Sequence, residues 1–258
     1  MPPWLDAQHL LGEGTWHRHK SYWHSQLHSK QAADVQARLR NMCIGGATIE
    51  TVIEPAVPRQ AYRKALHEEA VRMRNKTPLF SEAQACLDRE SRAFITPEAL
   101  ALDIGKLATE RSVLDAGCGV GSNAIAFARE GCAVTALESH PERLAMAMAN
   151  AKIYGVQELI HFKQSQIDAR TPLPPADILF VDPPWLGLEK EKSSLTDYPF
   201  LELMLDRFNT EKKWHALWIK LPMRFDLSSL EGFRPLAFFG KGKGDFRRVK
   251  FLLLQSSQ

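Results

Sequence analysis

Long apolar runs are missing from this 258-residue chain. Nowhere does an unbroken hydrophobic stretch approach the ~20 residues that a bilayer crossing takes. The first residues, Met1-Pro2-Pro3-Trp4-Leu5-Asp6, lack the basic and apolar regions of a secretory leader. Cysteine is scarce as well. Cys43, Cys86, Cys118 and Cys132 form no CxxC pair and have no histidine partners at zinc spacing, so they read as reduced thiols, with no metal site or disulfide framework. These absences point to an intracellular, soluble protein. Neither sign of charge dominates: a net charge of +3 permits an anionic partner without demanding one. Hydrophobic residues make up 45% of the chain, which is ample for a core, and the length suits one large α/β domain or one domain with an extension.

Two nucleotide motifs are also absent. A GxGxxG dinucleotide fingerprint would require glycine where the chain has Ser122, and no GxxxxGK[ST] phosphate loop occurs.

What is present begins with a segment rich in His, Trp and Gly, from Trp4 to about Lys30. It reads as a mobile or partner-dependent extension. Contact with RNA through Trp16, Trp23, Arg18 and Lys20 is an alternative, as is a docking segment that buries its tryptophans. Apolar residues at helical spacing predict helices over Gln31 to Met42 and Arg59 to Asn75, joined by a loop or short arm that contains Gly45-Gly46. Thr96 and Pro97 have the character of an N-cap and a first helical residue, which predicts a helix from Pro97 to about Leu107.

From there strands and helices alternate. Strands are expected at Ser112 to Ala116, Ala133 to Glu138, Leu159 to Phe162, Ile178 to Val181 and Trp214 to Leu221. Helices are expected over Ser122 to Glu130, Pro141 to about Tyr154 and around Phe200 to Phe208. Such alternation builds a parallel sheet covered by helices on both faces. The last two strands, Arg234 to Phe239 and Arg248 to Leu254, are joined by so short a connection that they form an antiparallel hairpin.

The turn Gly117-Cys118-Gly119-Val120-Gly121 links the first of these strands to its helix, so a ligand can approach the backbone closely there. Asp115 stands two residues before it, where a carboxylate would repel a pyrophosphate and attract the cationic amino-acid end of S-adenosyl-L-methionine. Glu138 ends the second strand, the place from which an acid accepts hydrogen bonds from ribose hydroxyls. Asp182-Pro183-Pro184-Trp185 follows the buried strand Ile178 to Val181 and combines an acceptor, a restricted backbone and a large aromatic surface. That combination suits holding a flat nucleobase by its amine edge, although a Pro-rich turn with a buried Trp has the same residues.

In these motifs the chain resembles the class I S-adenosylmethionine-dependent methyltransferases, and within them the trimethylguanosine synthases. The resemblance rests on Leu87-Asp88-Arg89-Glu90-Ser91, Phe94-Ile95-Thr96-Pro97-Glu98, the run from Asp115 to Asn123, Asn150 with Tyr154-Gly155, and Pro183-Pro184-Trp185, and covers roughly residues 60 to 258. It implies an α/β, Rossmann-like, mostly parallel seven-stranded sheet with a C-terminal antiparallel hairpin. The methyltransferase domain would span 81–258, and a mainly helical N-terminal extension 1–80. It implies S-adenosyl-L-methionine as cofactor and methyl transfer to the exocyclic 2-amine of guanine in a 7-methylguanosine RNA cap. No metal or membrane is involved, and the protein is expected to be a monomer of the nucleus or cytoplasm.

By the same resemblance Thr96, Asp115, Gly117, Gly119, Gly121, Asn123, Glu138, Gln166 and Asp182 hold the cofactor. Gln166 or Asp168, after the third strand, falls where the family has an Asp near the adenine, and Gln166 is the one in register. Asp182, Pro183, Pro184 and Trp185 form the catalytic set, with Trp185 stacked on the cap guanine. Lys241 and Arg247, among the basic residues near the terminal hairpin, are substrate contacts for cap phosphates; Arg72, Arg74 and Lys76 are further candidates, and a solvated basic rim is the alternative. The cap enzymes carry Ser at the position of Asp182, whereas Asp before Pro-Pro occurs in adenine-amine and ribosomal guanine-amine methyltransferases. Action on internal RNA or DNA positions, or the role of an inactive cofactor-binding partner subunit, therefore stays open.

Overall fold

The computed structural model describes residue 11 and residues 14–74, 78–185, 193–239 and 251–256, with backbone alone at 72–74 and 237–239. A small hairpin, β1 (His17–His19) and β2 (Tyr22–His24), opens the described chain. Helix α1 (Ser29–Leu39) and a second short hairpin, β3 (Cys43–Ile44) with β4 (Ala47–Thr48), follow. Helix α2 (Arg59–Arg74), a four-residue helix α3 (Ser91–Phe94) and α4 (Glu98–Ala108) then lead into the sheet.

The predicted alternation is realised. In order come β5 (Ser112–Ala116), α5 (Ser122–Arg129), β6 (Ala133–Glu138), α6 (Pro141–Ile153), β7 (Ile160–Gln164), β8 (Ala176–Val181), α7 (Pro199–Glu211), β9 (Trp214–Pro222), β10 (Phe233–Phe239) and β11 (Phe251–Ser256). They form a seven-stranded sheet in the order β10-β11-β9-β8-β5-β6-β7. The five strands β5 to β9 run parallel, and β11 lies antiparallel to both β9 and β10. The chain moves outward from β5 through β6 to β7, then returns to the other side of β5 as β8. That reversal opens a crevice at the carboxyl ends of β5 and β8, where ligands of open α/β sheets bind.

Alternate residues of the buried strands point into two separate cores. One face carries Val113, Val134, Phe180 and Trp218 and is covered by α4, α5 and α6 through residues such as Ile104, Phe127 and Ala147. The other carries Leu114, Leu179, Leu217 and Leu254, covered by Leu201 and Met204 of α7. Val35, Leu39, Met42, Ile44 and Ile49 share that second cluster, and Trp16, Trp23 and Leu27 pack against it. The tryptophan-rich segment thus packs Trp16 and Trp23, both partly buried, against this core.

One local expectation is corrected. Helix α4 starts at Glu98, with Pro97 in extended backbone at the cap position and no side-chain cap, so Thr96 lies outside the helix. The β7 to β8 crossover, residues 165–175, contains no helix, and its Ile167 and Leu173 cover the sheet instead.

Buried Asn150 of α6 ties the layers together. Its amide nitrogen donates to the Val120 carbonyl at 2.9 Å and to the Cys86 carbonyl at 3.0 Å, and its Oδ1 accepts from the Cys86 N–H at 2.6 Å. The glycine turn and the segment before α3 are thereby held to one side chain. Asn150→Ala would leave three backbone groups unpaired and is expected to lower the unfolding free energy by about 2 to 4 kcal/mol. Urea denaturation measures it.

Candidate active site

The crevice at the switch point is a cavity of about 370 Å³, lined by the glycine turn, the ends of β5, β6 and β8, and the segment from Glu90 to Thr96. Its size lies in the range of small-molecule sites. Thr96, Gly117, Gly119, Asn123, Glu138, Gln166 and Asp182 to Trp185 all line it. Asp115 and Gly121 lie just behind the wall. Lys241 and Arg247 fall outside the described residues, as do Lys76, Lys243, Arg248 and Lys250 and the side chains of Arg72 and Arg74.

The turn owes its shape to glycine. Gly117 and Gly119 have φ of 100° and 56°, and a Cβ on either would meet nothing within 4 Å, because it would project into open cavity. Gly121, with φ of 91°, is different: a Cβ there would lie 3.1 Å from the Ala147 Cβ, so its role is close packing of α5 on α6. The N–H groups of Gly117 and Cys118 donate to the Leu137 carbonyl at the end of β6. Glu138, the next residue, accepts from the Gly119 N–H at 2.9 Å through Oε2 and from the His140 N–H at 2.8 Å through Oε1.

Asp115 carries the clearest electrostatic signal. It is 1% exposed, and among the described residues neither carboxylate oxygen has a hydrogen-bond partner. Burial, followed by the negative charges of Asp182 and Glu138, pushes its pKa up to about 8 against a smaller opposing effect of Lys220. An orphaned buried carboxylate beside open space is built for a cationic ligand group. The same burial, with Asp115 and Glu138 nearby, raises the Cys118 thiol well above its ordinary range, which removes it as a nucleophile.

Asp182 is the opposite case, richly satisfied. Three donors converge on its Oδ2: Lys220 Nζ at 2.6 Å, Asn123 Nδ2 at 3.2 Å and Thr96 Oγ1 at 3.4 Å. Thr96 and Asn123 therefore reach Asp182 directly. Lys220, the residue sequence reasoning missed, is 1% exposed on β9, and its ammonium also lies 4.5 Å from the centroid of the Trp185 ring and 4.9 Å from that of Phe251. A lone lysine within the apolar strand Trp214-His215-Ala216-Leu217-Trp218-Ile219-Lys220-Leu221 was its visible sign. Trp185 has its indole N–H buried without an acceptor, and Asn123 Oδ1 is likewise unpaired.

Gln166 reaches the cavity, whereas Asp168 does not: its carboxylate closes a local turn by accepting from the N–H groups of Arg170 and Thr171, both at 2.8 Å. At the mouth, Arg143 of α6 pairs with Glu90 and, at 3.4 Å, with Asp88, and this fixes the segment before Thr96.

Sheet order, glycine turn and acid placement define the class: this is the class I methyltransferase fold, and the orphaned Asp115 with the open cradle at Gly117 and Gly119 fits S-adenosyl-L-methionine. Residues 110–227 match the family model of RNA cap guanine-N2 methyltransferases. The chain is 34% identical over 125 residues to trimethylguanosine synthase of Schizosaccharomyces pombe, across 44% of this chain and 52% of that one. It is 38% identical over 82 residues to an uncharacterized RNA methyltransferase of Gloeobacter violaceus, across 32% of this chain and 18% of that one. The chain thus spans about half of the first relative and under a fifth of the second. A solved putative methyltransferase from Porphyromonas gingivalis shares the fold, with a TM-score of 0.52, 16% identity and coverage of 88% of this chain and 57% of that one. Among the described residues no helix is long and apolar enough to cross a membrane.

The state of Asp115 has a measurable consequence. An unfolded chain loses this proton near 3.8 and the folded one keeps it until about 8, so its contribution to stability falls as pH rises between those values and is flat above. Asp115→Asn is expected to raise the melting temperature of the ligand-free protein at pH 8. The same change should weaken S-adenosylhomocysteine binding by about 10- to 100-fold. In calorimetry, parent affinity should climb with pH toward 8 and the variant's should not.

Proposed function

We propose that this protein is an S-adenosylmethionine-dependent RNA methyltransferase acting on the exocyclic 2-amine of guanine, with a 7-methylguanosine cap as substrate. The observation that carries the reading is one cavity lined on one side by the glycine turn, with the buried Asp115 carboxylate just before it in the chain, and on the other by Asp182 and Trp185. The match to the RNA cap guanine-N2 methyltransferase model supports the choice of amine and of RNA.

When bound, S-adenosylmethionine supplies a methyl group already activated on a sulfonium, so the residues have only to position the acceptor. Asp115 would meet the ammonium of its amino-acid end, and Gly117 and Gly119 leave room for it. Glu138 would accept from the ribose, and Gln166, which lines the cavity, would face the base. An exocyclic amine is a poor nucleophile because its lone pair is delocalised into the ring. Asp182 Oδ1 and the Pro183 carbonyl can accept its two N–H groups and localise that pair. Trp185 offers a stacking surface, on which a cationic 7-methylguanine gains about 1 to 2 kcal/mol over a neutral base when desolvated. Lys241 and Arg247 are proposed to meet the cap phosphates.

A second reading is methylation of guanine or adenine amines at internal RNA or DNA positions. Asp in place of Ser at position 182 favours it, and so does Lys220, because an indole that already carries an ammonium 4.5 Å away has less to offer a second cation. An inactive partner subunit fits less well, since Asp115, Glu138 and Asp182 are all intact at the cavity.

The deciding experiment is methyl transfer from labelled cofactor to 7-methylguanosine-capped, unmethylated-capped, internal guanine and adenine substrates. A preference for the methylated cap supports the first reading and equal turnover of capped and uncapped guanine removes it. Asp182→Ala should lower kcat by about 100-fold or more. Trp185→Ala should raise KM by about 10-fold or more. Parent-like rates in both would place the chemistry elsewhere.

A further inference from the structure

Lys220 is not among the residues that line the cavity and yet is the most deeply buried charge in contact with the proposed base-binding residues, with a side chain 2% exposed beside the 13% of Asp182. As a stabilising device such a pair is weak, because desolvating two charges cancels most of their attraction. Its location is more telling. Lys220 is in register with Leu253 of β11, and Val181, the residue before Asp182, is in register with Ile219. The sheet itself thus delivers the ammonium to the Asp182 carboxylate, with Trp185 and Phe251 against its other side.

We propose that Lys220 is a positioning residue for methyl transfer, whose ammonium pins Oδ2 of Asp182 so that Oδ1 faces the amine, and supports Trp185 so that the base lies in the plane of that oxygen. The assignment rests on the amine-methyltransferase reading above. Lys220, Asn123 and Thr96 occupy Oδ2, while Oδ1 accepts from none of the described residues. A carboxylate anchored at one oxygen by three donors has one orientation in which to present the other. In the transfer the amine nitrogen gains the methyl carbon as the carbon–sulfur bond of the sulfonium donor breaks, the sulfur keeps that electron pair as the neutral thioether S-adenosylhomocysteine, and the amine gives up one proton to solvent. Asp182 faces the N–H that carries the growing charge, and Lys220 balances the Asp182 charge beside Asp115 and Glu138 while no substrate is present.

The test uses Lys220→Met, which keeps length and loses charge, with Lys220→Arg, Asp182→Asn and the Lys220→Met/Asp182→Asn pair. Lys220→Met is expected to lower kcat by about 100-fold, the cost of a small misplacement of a reacting group. Its affinity for S-adenosylhomocysteine should stay within about 3-fold of the parent, since binding and chemistry are then separate losses. Lys220→Arg should recover part of kcat. The double variant should be no slower than Asp182→Asn alone, because Lys220 acts through Asp182. Should Lys220→Met not fold, the Arg variant and the double variant, which leaves no unpaired charge, carry the test.

Parent-like kcat in Lys220→Met overturns the assignment. So does a double variant in which the two losses multiply, or loss of cofactor binding in step with kcat, the mark of a merely structural role. A parent protein that binds S-adenosylhomocysteine but methylates no base in the panel overturns the amine reading itself, whereas an active parent with an indifferent Lys220 overturns this proposal alone.

Discussion

Two carboxylates stand at the carboxyl ends of adjacent buried strands, Asp115 on β5 and Asp182 after β8, and the charge of Asp182 adds to the cost of charging Asp115. Positive charge has to come from somewhere. For Asp182 the protein supplies it from the next strand, as Lys220. For Asp115 the described residues supply no hydrogen-bond donor, and burial keeps it protonated to about pH 8, which suits the proposed role of meeting a cationic ligand group. One acid is held as a fixed acceptor and the other is left without a donor, although the two residues have the same chemistry.

The remaining wall serves to keep that asymmetry in shape. Glu138 receives the Gly119 N–H, and Asn150 receives Cys86 while donating to Val120. The turn is therefore held from both sides while its glycines leave the cavity clear. Glu98 extends the frame outward: it accepts from the Tyr154 hydroxyl at 2.7 Å and pairs with Arg129 at the same distance, joining the starts of α4 and the ends of α5 and α6. A site of this kind is rigid where it must present a fixed carboxylate and open where a nucleoside has to enter.

Much of this was legible in the sequence. The strands β5 and β6 were readable to the residue, since apolar runs bounded by Gly, Asp and Glu leave little choice of limits. The antiparallel end of the sheet followed from connection length alone. Thr96 was misread because its pairing with Pro97 mimics a helix cap, and only tertiary structure shows the hydroxyl turned to a carboxylate 86 residues further on. Lys220 escaped because a single lysine in a strand looks like noise until the strand order puts Asp182 beside it. The tryptophans of the first segment were ambiguous for the same reason: burial against a sheet that lies a hundred residues away leaves no local pattern.

The unequal covering of the two faces of the sheet bears on how the chain comes together. The face under α4, α5 and α6 is drawn mostly from residues 100 to 160, so its contacts are short in sequence and early to form. The opposite face joins Val35, Leu39 and Ile44 to Leu221, Leu252 and Leu254, so it closes only when the two ends of the chain meet. On a ribosome the first fifty residues emerge long before their partners and wait with their apolar side chains uncovered. The anchor of Asp182 comes with that later half too, because Lys220 stands on β9.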